Sequence, residues 1–237
     1  MDGWFASDWG VPVDEQRQQD PPAGQAWGLP AFLLGFGLYY VVSLLIVGFL
    51  PAPDGPRSGV RLLVPFVANL FLGLVPWWFS RRRGRGVVAD FGFLPNRRDF
   101  SVGLSCGVIS VIVGLVISMA VSRIIPPAAS PVTSHVDGWL IGFVAFLVIG
   151  APITEELLVR GALWGALAHY GVPRLTVLLL TALVFAFLHL DPSRLASLFA
   201  QGVAIGAARM VTGRVGASMI AHATNNLLPG IFTLAGI

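Results

Sequence analysis

The sequence predicts an all-α protein, a polytopic bundle of about seven to eight transmembrane helices. Three observations predict it. Hydrophobic residues make up 55% of the chain and charged residues only 11%, where a soluble domain carries about 25% charged residues; the mean hydropathy is +0.78. The apolar residues gather in runs near the roughly 20 residues that a helix needs to cross hydrocarbon. The basic residues, all of them Arg, sit at the ends of those runs rather than along one face.

The elements follow in order. Residues 1–26 are polar, acidic and Pro-containing, a flexible tail ahead of a single membrane domain over 27–237, and no cleavable signal sequence opens them. A first span runs from about Trp27 to Leu50 and stops at the Pro-, Gly- and Asp-rich loop PAPDGPRSG. A second covers Val60 to Phe79 and closes on Trp77 and Trp78, aromatics suited to a membrane interface. The connection after it holds Arg81, Arg82, Arg83, Arg85, Arg97 and Arg98, more than any other, which places it in the cytoplasm. A third span, Phe100 to about Val121, leads into RIIPPAASPVTSHVDG.

The fourth begins at Trp139 and keeps its helical pattern past Pro152 to about Tyr170. That is long for one crossing, so a kink at Pro152 is expected, and an eighth span results if the segment is two pieces. Arg174–His189, Leu195–Met210 and Val215 to about Leu234 complete the set. Alternation puts Arg174, Arg209 and Arg214 in the cytoplasm and Arg57, Arg123 and Arg194 outside. It also puts His189 near the outer end of its helix and His222 nearer the cytoplasmic end. One site built from both therefore needs a broken helix or shifted boundaries.

The net charge of +3 and pI near 9.7 would suggest nucleic acid in a soluble protein; here topology accounts for the Arg, and no nucleic-acid partner is expected. The exclusive use of Arg, with abundant Ala, Gly, Pro and Val, points to a GC-rich bacterial genome. The single Cys106 excludes an internal disulfide and reads as a small packing residue. Gly103/Gly107, Gly161/Gly165 and Gly202/Gly206 repeat at i, i+4, a spacing that lets helix backbones approach closely within one bundle.

Of twelve acidic residues, only Glu155 and Glu156 fall inside an apolar helix. Taking charge into such surroundings is costly even after relaxation. Glu156 and Arg160 form an i, i+4 pair in the favourable order, so Arg160 neutralises Glu156. Glu155, rotated by about 100° on the helix, is left for another partner. His189 and His222 lie in or at the edge of apolar runs, whereas His135 belongs to a loop and His169 to the end of the fourth segment. Asn226 follows His222 by one turn on the same face. Singly, each of these could be a bundle fastener or a hydrogen-bonded packing residue. Together they are a costly set to bury for packing alone, and intramembrane ionisable groups are functional-site candidates.

The pattern also resembles a known family. EELLVR is E-E-x-x-x-R, FAFLH is F-x-x-x-H and HATNN is H-x-x-x-N. In that order on successive apolar segments, over roughly 139–234, they resemble the CPBP family of intramembrane proteases. That family includes the type II CAAX prenyl endopeptidases and the Abi proteins linked to bacteriocin processing and self-immunity. The resemblance implies an intramembrane endopeptidase in which Glu155 activates water, His189 holds that water and relays its proton, and His222 and Asn226 stabilise the oxyanion. An older label for the family is metalloprotease, with Glu155, His189 and His222 as zinc ligands and one position open for water. The chain has no H-E-x-x-H, and Asn is an unusual zinc ligand, so the metal-free scheme is preferred and no cofactor is assigned.

There is no G-x-S-G for a serine enzyme of the rhomboid kind and no G-x-G-D for an aspartyl enzyme. Two rival readings use the same residues: a proton- or cation-coupled transporter with these carboxylates as relay, and an inactive immunity or scaffold member. CAAX prenylation is eukaryotic. A bacterial origin therefore implies a peptide or membrane-protein substrate at the cytoplasmic membrane rather than a prenylated one.

Overall fold

A computed structural model describes residues 25–49, 59–123 and 136–236. Most of the tail expected over 1–26, most of both long loops, Arg57 and His135 lie outside them. Eight helices follow, with no strand among the described residues: α1 (Gly28–Phe49), α2 (Val64–Arg83), the short α3 (Val87–Phe91), α4 (Arg97–Ser122), α5 (Gly138–His169), α6 (Arg174–Leu188), α7 (Leu195–Thr212) and α8 (Val215–Ala235). Seven of them correspond to the seven apolar runs. Four stretches, Gln25–Phe49, Arg97–Ser122, Gly138–His169 and Pro192–Thr212, are long and apolar enough to cross a membrane, and α6 is a shorter apolar helix.

The burial pattern is that of a protein solvated by lipid. Val47 and Phe49 on α1 are 75% and 81% exposed, and α4 presents Val108, Ile109, Ile112 and Val116 outward. In water such a surface would drive aggregation; in hydrocarbon it costs nothing. The core instead holds small apolar residues and the charges: Ala31, Leu158, Ala186 and Ala217 belong to one buried cluster, and Glu156 and Arg160 are fully buried. Cys106 is half-buried against that core.

Small residues bring α4 onto α8. A Cβ at Gly103 would stand 2.7 Å from the Ala217 carbonyl oxygen, and one at Gly107 would stand 2.7 Å from that of Ala221. Gly161 and Gly165 on α5 face Phe91 and Gln25, while Gly202 and Gly206 on α7 face α6. All six glycines flagged by their spacing meet neighbours in this same chain.

The Arg-rich connection gathers several loops at one end of the bundle. Arg214 Nε donates to Asp99 Oδ2 at 2.8 Å, and Arg174 Nη2 donates to the Met210 carbonyl at 2.8 Å. The Gln25 amide donates to the Asp90 carbonyl at 3.0 Å. Thus Arg81–Arg85, Arg174 and Arg214 share an end, as alternation requires.

The long fourth segment is one continuous helix, not two. It passes Pro152 by widening rather than breaking: Phe146–Gly150 is wound as a π-turn, and the Ala151 N–H bonds to the Phe146 carbonyl five residues back. A second π-wound stretch, Leu157–Leu163, follows the glutamates. The expected disturbance at Pro152 is therefore taken up as a change of helical pitch. The depth conflict between His189 and His222 also resolves without a broken helix. Helix α6 has only 15 residues, roughly 22 Å at 1.5 Å per residue. His189 at its C-terminal cap and His222, two turns into α8, both pack against the Phe185 ring and line one cavity.

Candidate active site

Glu156 is the centre of a buried knot. Arg160 Nη1 donates to its Oε1 at 2.9 Å, and His222 Nδ1 lies 3.1 Å from the same oxygen. Glu156 and Arg160 are both 0% exposed. Arg160 also donates through Nη2 to the Gly202 carbonyl at 2.7 Å, and its guanidinium carbon lies 4.9 Å from the Phe185 ring centroid. A carboxylate only accepts hydrogen bonds, so the His222 proton sits on Nδ1 and its Nε2 is left available.

His189 arrives at the same tautomer by another route. Its Nδ1 lies 2.9 Å from the Phe185 carbonyl oxygen, again a pure acceptor. The Phe185 ring packs edge-on against both imidazoles, with its centroid 4.9 Å from that of His189 and 5.2 Å from that of His222. This gives the F-x-x-x-H spacing a physical meaning. One residue supplies the carbonyl that orients His189 and a ring that both histidines contact.

Both histidines line a cavity of about 190 Å³, together with Phe185, Gln201, Asn225 and Asn226. Arg194 and residues of α4 complete its wall. Asn226 is held by a bond from Nδ2 to the Leu147 carbonyl at 2.9 Å. Three of the residues expected at the site therefore share one chamber.

Glu155 does not line that cavity. It is 9% exposed, and its Oε1 accepts from Asn69 Nδ2 at 3.1 Å. Among the described residues its Oε2 has no hydrogen-bond partner. Its charge lies within electrostatic reach of His189, Tyr39 and Arg160. Thr154 donates to Asn69 Oδ1 and so fixes which end of that amide faces Glu155. Tyr39 and Tyr40 reach the Leu188 and Phe187 carbonyls beside His189, at 3.4 Å and 3.2 Å.

Asn69, Thr154 and the tyrosines were not among the residues expected from sequence. Asn69 had a signal: it is the one amide or ionisable side chain in the apolar run Val64–Phe79.

The zinc alternative meets a geometric obstacle. Among the described residues, no group of three His, Cys, Asp or Glu side chains could hold a metal ion. Glu155 Oε1 is taken by Asn69 and His222 Nδ1 by Glu156, but Glu155 Oε2 and the Nε2 atoms of both histidines remain, so the obstacle is the placement of the three groups rather than spent ligand atoms. Glu155, His189 and His222 do not fit a shared ion as they stand, and no step is routed through one.

Residues 137–228 match the model of a family described as type II CAAX prenyl endopeptidase, Rce1-like. The motif-bearing segment belongs to that family. It covers about two fifths of the chain, from the start of α5 into α8. The match supports a CAAX-protease-like intramembrane endopeptidase at family level, and together with the four long apolar helices it points to an integral membrane protein. No curated protein and no solved structure gives a significant match. Helices α1–α4 lie outside the matched segment, yet α2 supplies Asn69 to Glu155 and α1 supplies Tyr39.

Proposed function

We propose that the protein hydrolyses peptide bonds of a peptide or membrane-protein substrate in the bacterial cytoplasmic membrane, using a glutamate-activated water. Residues 27–237 act as one membrane domain behind the polar tail, with the Arg-rich end in the cytoplasm. The observation that carries the reading is the pair of imidazoles packed against Phe185, each with Nδ1 engaged and Nε2 free, in a cavity shared with Asn226.

In this scheme Glu155 takes a proton from water through the oxygen that Asn69 leaves unpaired, with His189 Nε2 accepting from the same water. The water oxygen bonds to the scissile carbonyl carbon, and the carbonyl oxygen becomes an oxyanion. His222, protonated at Nε2 with Glu156 offsetting the added charge, and the second amide hydrogen of Asn226 donate to it. The proton held by Glu155 and His189 passes to the leaving nitrogen as the C–N bond breaks. Arg160 holds Glu156 in place and does not touch substrate.

The test is cleavage of a quenched fluorescent peptide by purified protein in proteoliposomes, before and after dialysis against a strong chelator. Activity persists, and Asn226→Ala lowers kcat by about 10²-fold with little change in KM. Loss of activity on chelation, with recovery on adding Zn²⁺, overturns the metal-free scheme.

A further inference from the structure

Asn226 is oriented by a defect in the backbone of α5. In the π-turn before Pro152, the Ala151 N–H goes to Phe146 rather than to Leu147. The next N–H in line would be that of residue 152, and proline has none. The Leu147 carbonyl is thereby without a helical donor, and a bare carbonyl inside a bundle is expensive. Asn226 Nδ2 fills the gap at 2.9 Å.

That single contact dictates the rest of a chain. A carbonyl can only accept, so the Asn226 nitrogen must face Leu147 and its oxygen must face the other way. Asn225 Nδ2 meets that oxygen at 3.2 Å and also reaches Gln201 Oε1 at 3.4 Å. Both donors of Asn225 are then used, and its Oδ1 accepts from Ser110 Oγ on α4 at 2.8 Å. Flipping the Asn226 amide would set oxygen against the Leu147 carbonyl at one end and donor against donor at Asn225.

We propose that Pro152 and Asn225 are positioning residues that fix the Asn226 carboxamide from its two ends. Pro152 acts by withholding an N–H from the Leu147 carbonyl, and Asn225 acts by clamping the Asn226 oxygen. The proposal rests on the reading of Asn226 as an oxyanion donor. It adds two residues that do not touch substrate, one of them joined through Ser110 to a helix outside the family segment. Pro152 stands three residues before Glu155, so one backbone feature aligns the helix of the base with the donor opposite.

The test compares Pro152→Ala, Asn225→Leu, Ser110→Ala and Asn226→Ala in the full chain, alone and combined with Asn226→Ala, by melting temperature in detergent and by peptide turnover. Replacing a proline inside a helix ordinarily stabilises it. Pro152→Ala therefore raises the melting temperature and yet lowers kcat about tenfold at unchanged KM, an opposition that a purely structural role does not produce. Asn225→Leu lowers kcat by a similar factor, Ser110→Ala by less, and each adds nothing once Asn226 is Ala. In the stability arm, Asn226→Ala costs less in the Pro152→Ala background, because the Leu147 carbonyl then has a backbone donor. Additive effects in either arm, or unchanged kcat in Pro152→Ala, overturn the positioning roles. If Asn226→Ala itself leaves kcat unchanged, the oxyanion reading falls and these roles fall with it.

Discussion

Glu155 and Glu156 are neighbours on one helix, and their surroundings have little in common. Glu156 faces α7 and α8, where Arg160 and His222 converge on a single oxygen in full burial. Glu155 faces α2, takes one amide donor from Asn69 and keeps an oxygen without a protein partner among the described residues. Each glutamate keeps an Oε2 without a hydrogen-bond partner among the described residues; what sets Glu156 apart is that its charge is met by a guanidinium and an imidazole. A buried carboxylate whose one hydrogen-bond donor is a neutral amide is costly to keep, and function is the usual reason for keeping one. On the proposed mechanism, about 100° of rotation along one helix separates fastener from reagent.

The comparison is broken most decisively at the reagent. Glu155→Gln keeps the shape and the acceptor for Asn69 but loses the base, so kcat falls by about 10²–10⁴-fold while folded yield in detergent stays at the wild-type level. A variant that cleaves peptide normally would remove Glu155 from the chemistry. At the fastener the effect moves to stability. Arg160→Met leaves Glu156 charged and partly unpaired in the core, at a cost of about 3–5 kcal/mol, read as a sharp fall in melting temperature and yield. Equal yields for this variant and the wild type would contradict the division of roles.

Asn69→Leu sharpens the contrast from the other side. Losing a hydrogen bond to a charged group is worth about 1.5–3 kcal/mol, so kcat drops by roughly ten- to a hundredfold, with little effect on the Glu156 knot. The smallest effect on turnover belongs to the far end of the bundle. Arg214 pairs with Asp99, whose side chain is fully buried while that of Arg214 is 34% exposed, so Arg214→Ala lowers the melting temperature by taking the charge partner from a buried carboxylate, and leaves peptide turnover unchanged.

The bundle was legible because runs of apolar sequence have few options in a bilayer, and the seven runs reappear as seven helices. The Glu156–Arg160 pair was legible because i, i+4 geometry depends on nothing beyond one helix. What the sequence hid are the partners that depend on which helices touch. Nothing in the run containing Asn69 says that it will face Glu155, although an amide alone among apolar residues is a signal to look for a buried acceptor. Asn225 could have been found beside Asn226, since positions three and four residues after His222 share its face. The π-turns could not: Pro152 announces a disturbance, and the surrounding packing decides whether it becomes a kink or a wider turn.

Helix α6 has only 15 residues. Its roughly 22 Å fall short of about 30 Å of hydrocarbon. Where a protein segment is shorter than the membrane around it, the bilayer thins to meet it or water follows the polar loop inward. The loop in question carries Asp191, Ser193 and Arg194 directly after His189. The proposed hydrolysis needs a reactant that lipid excludes, and hydrophobic mismatch at α6 would bring it in beside His189.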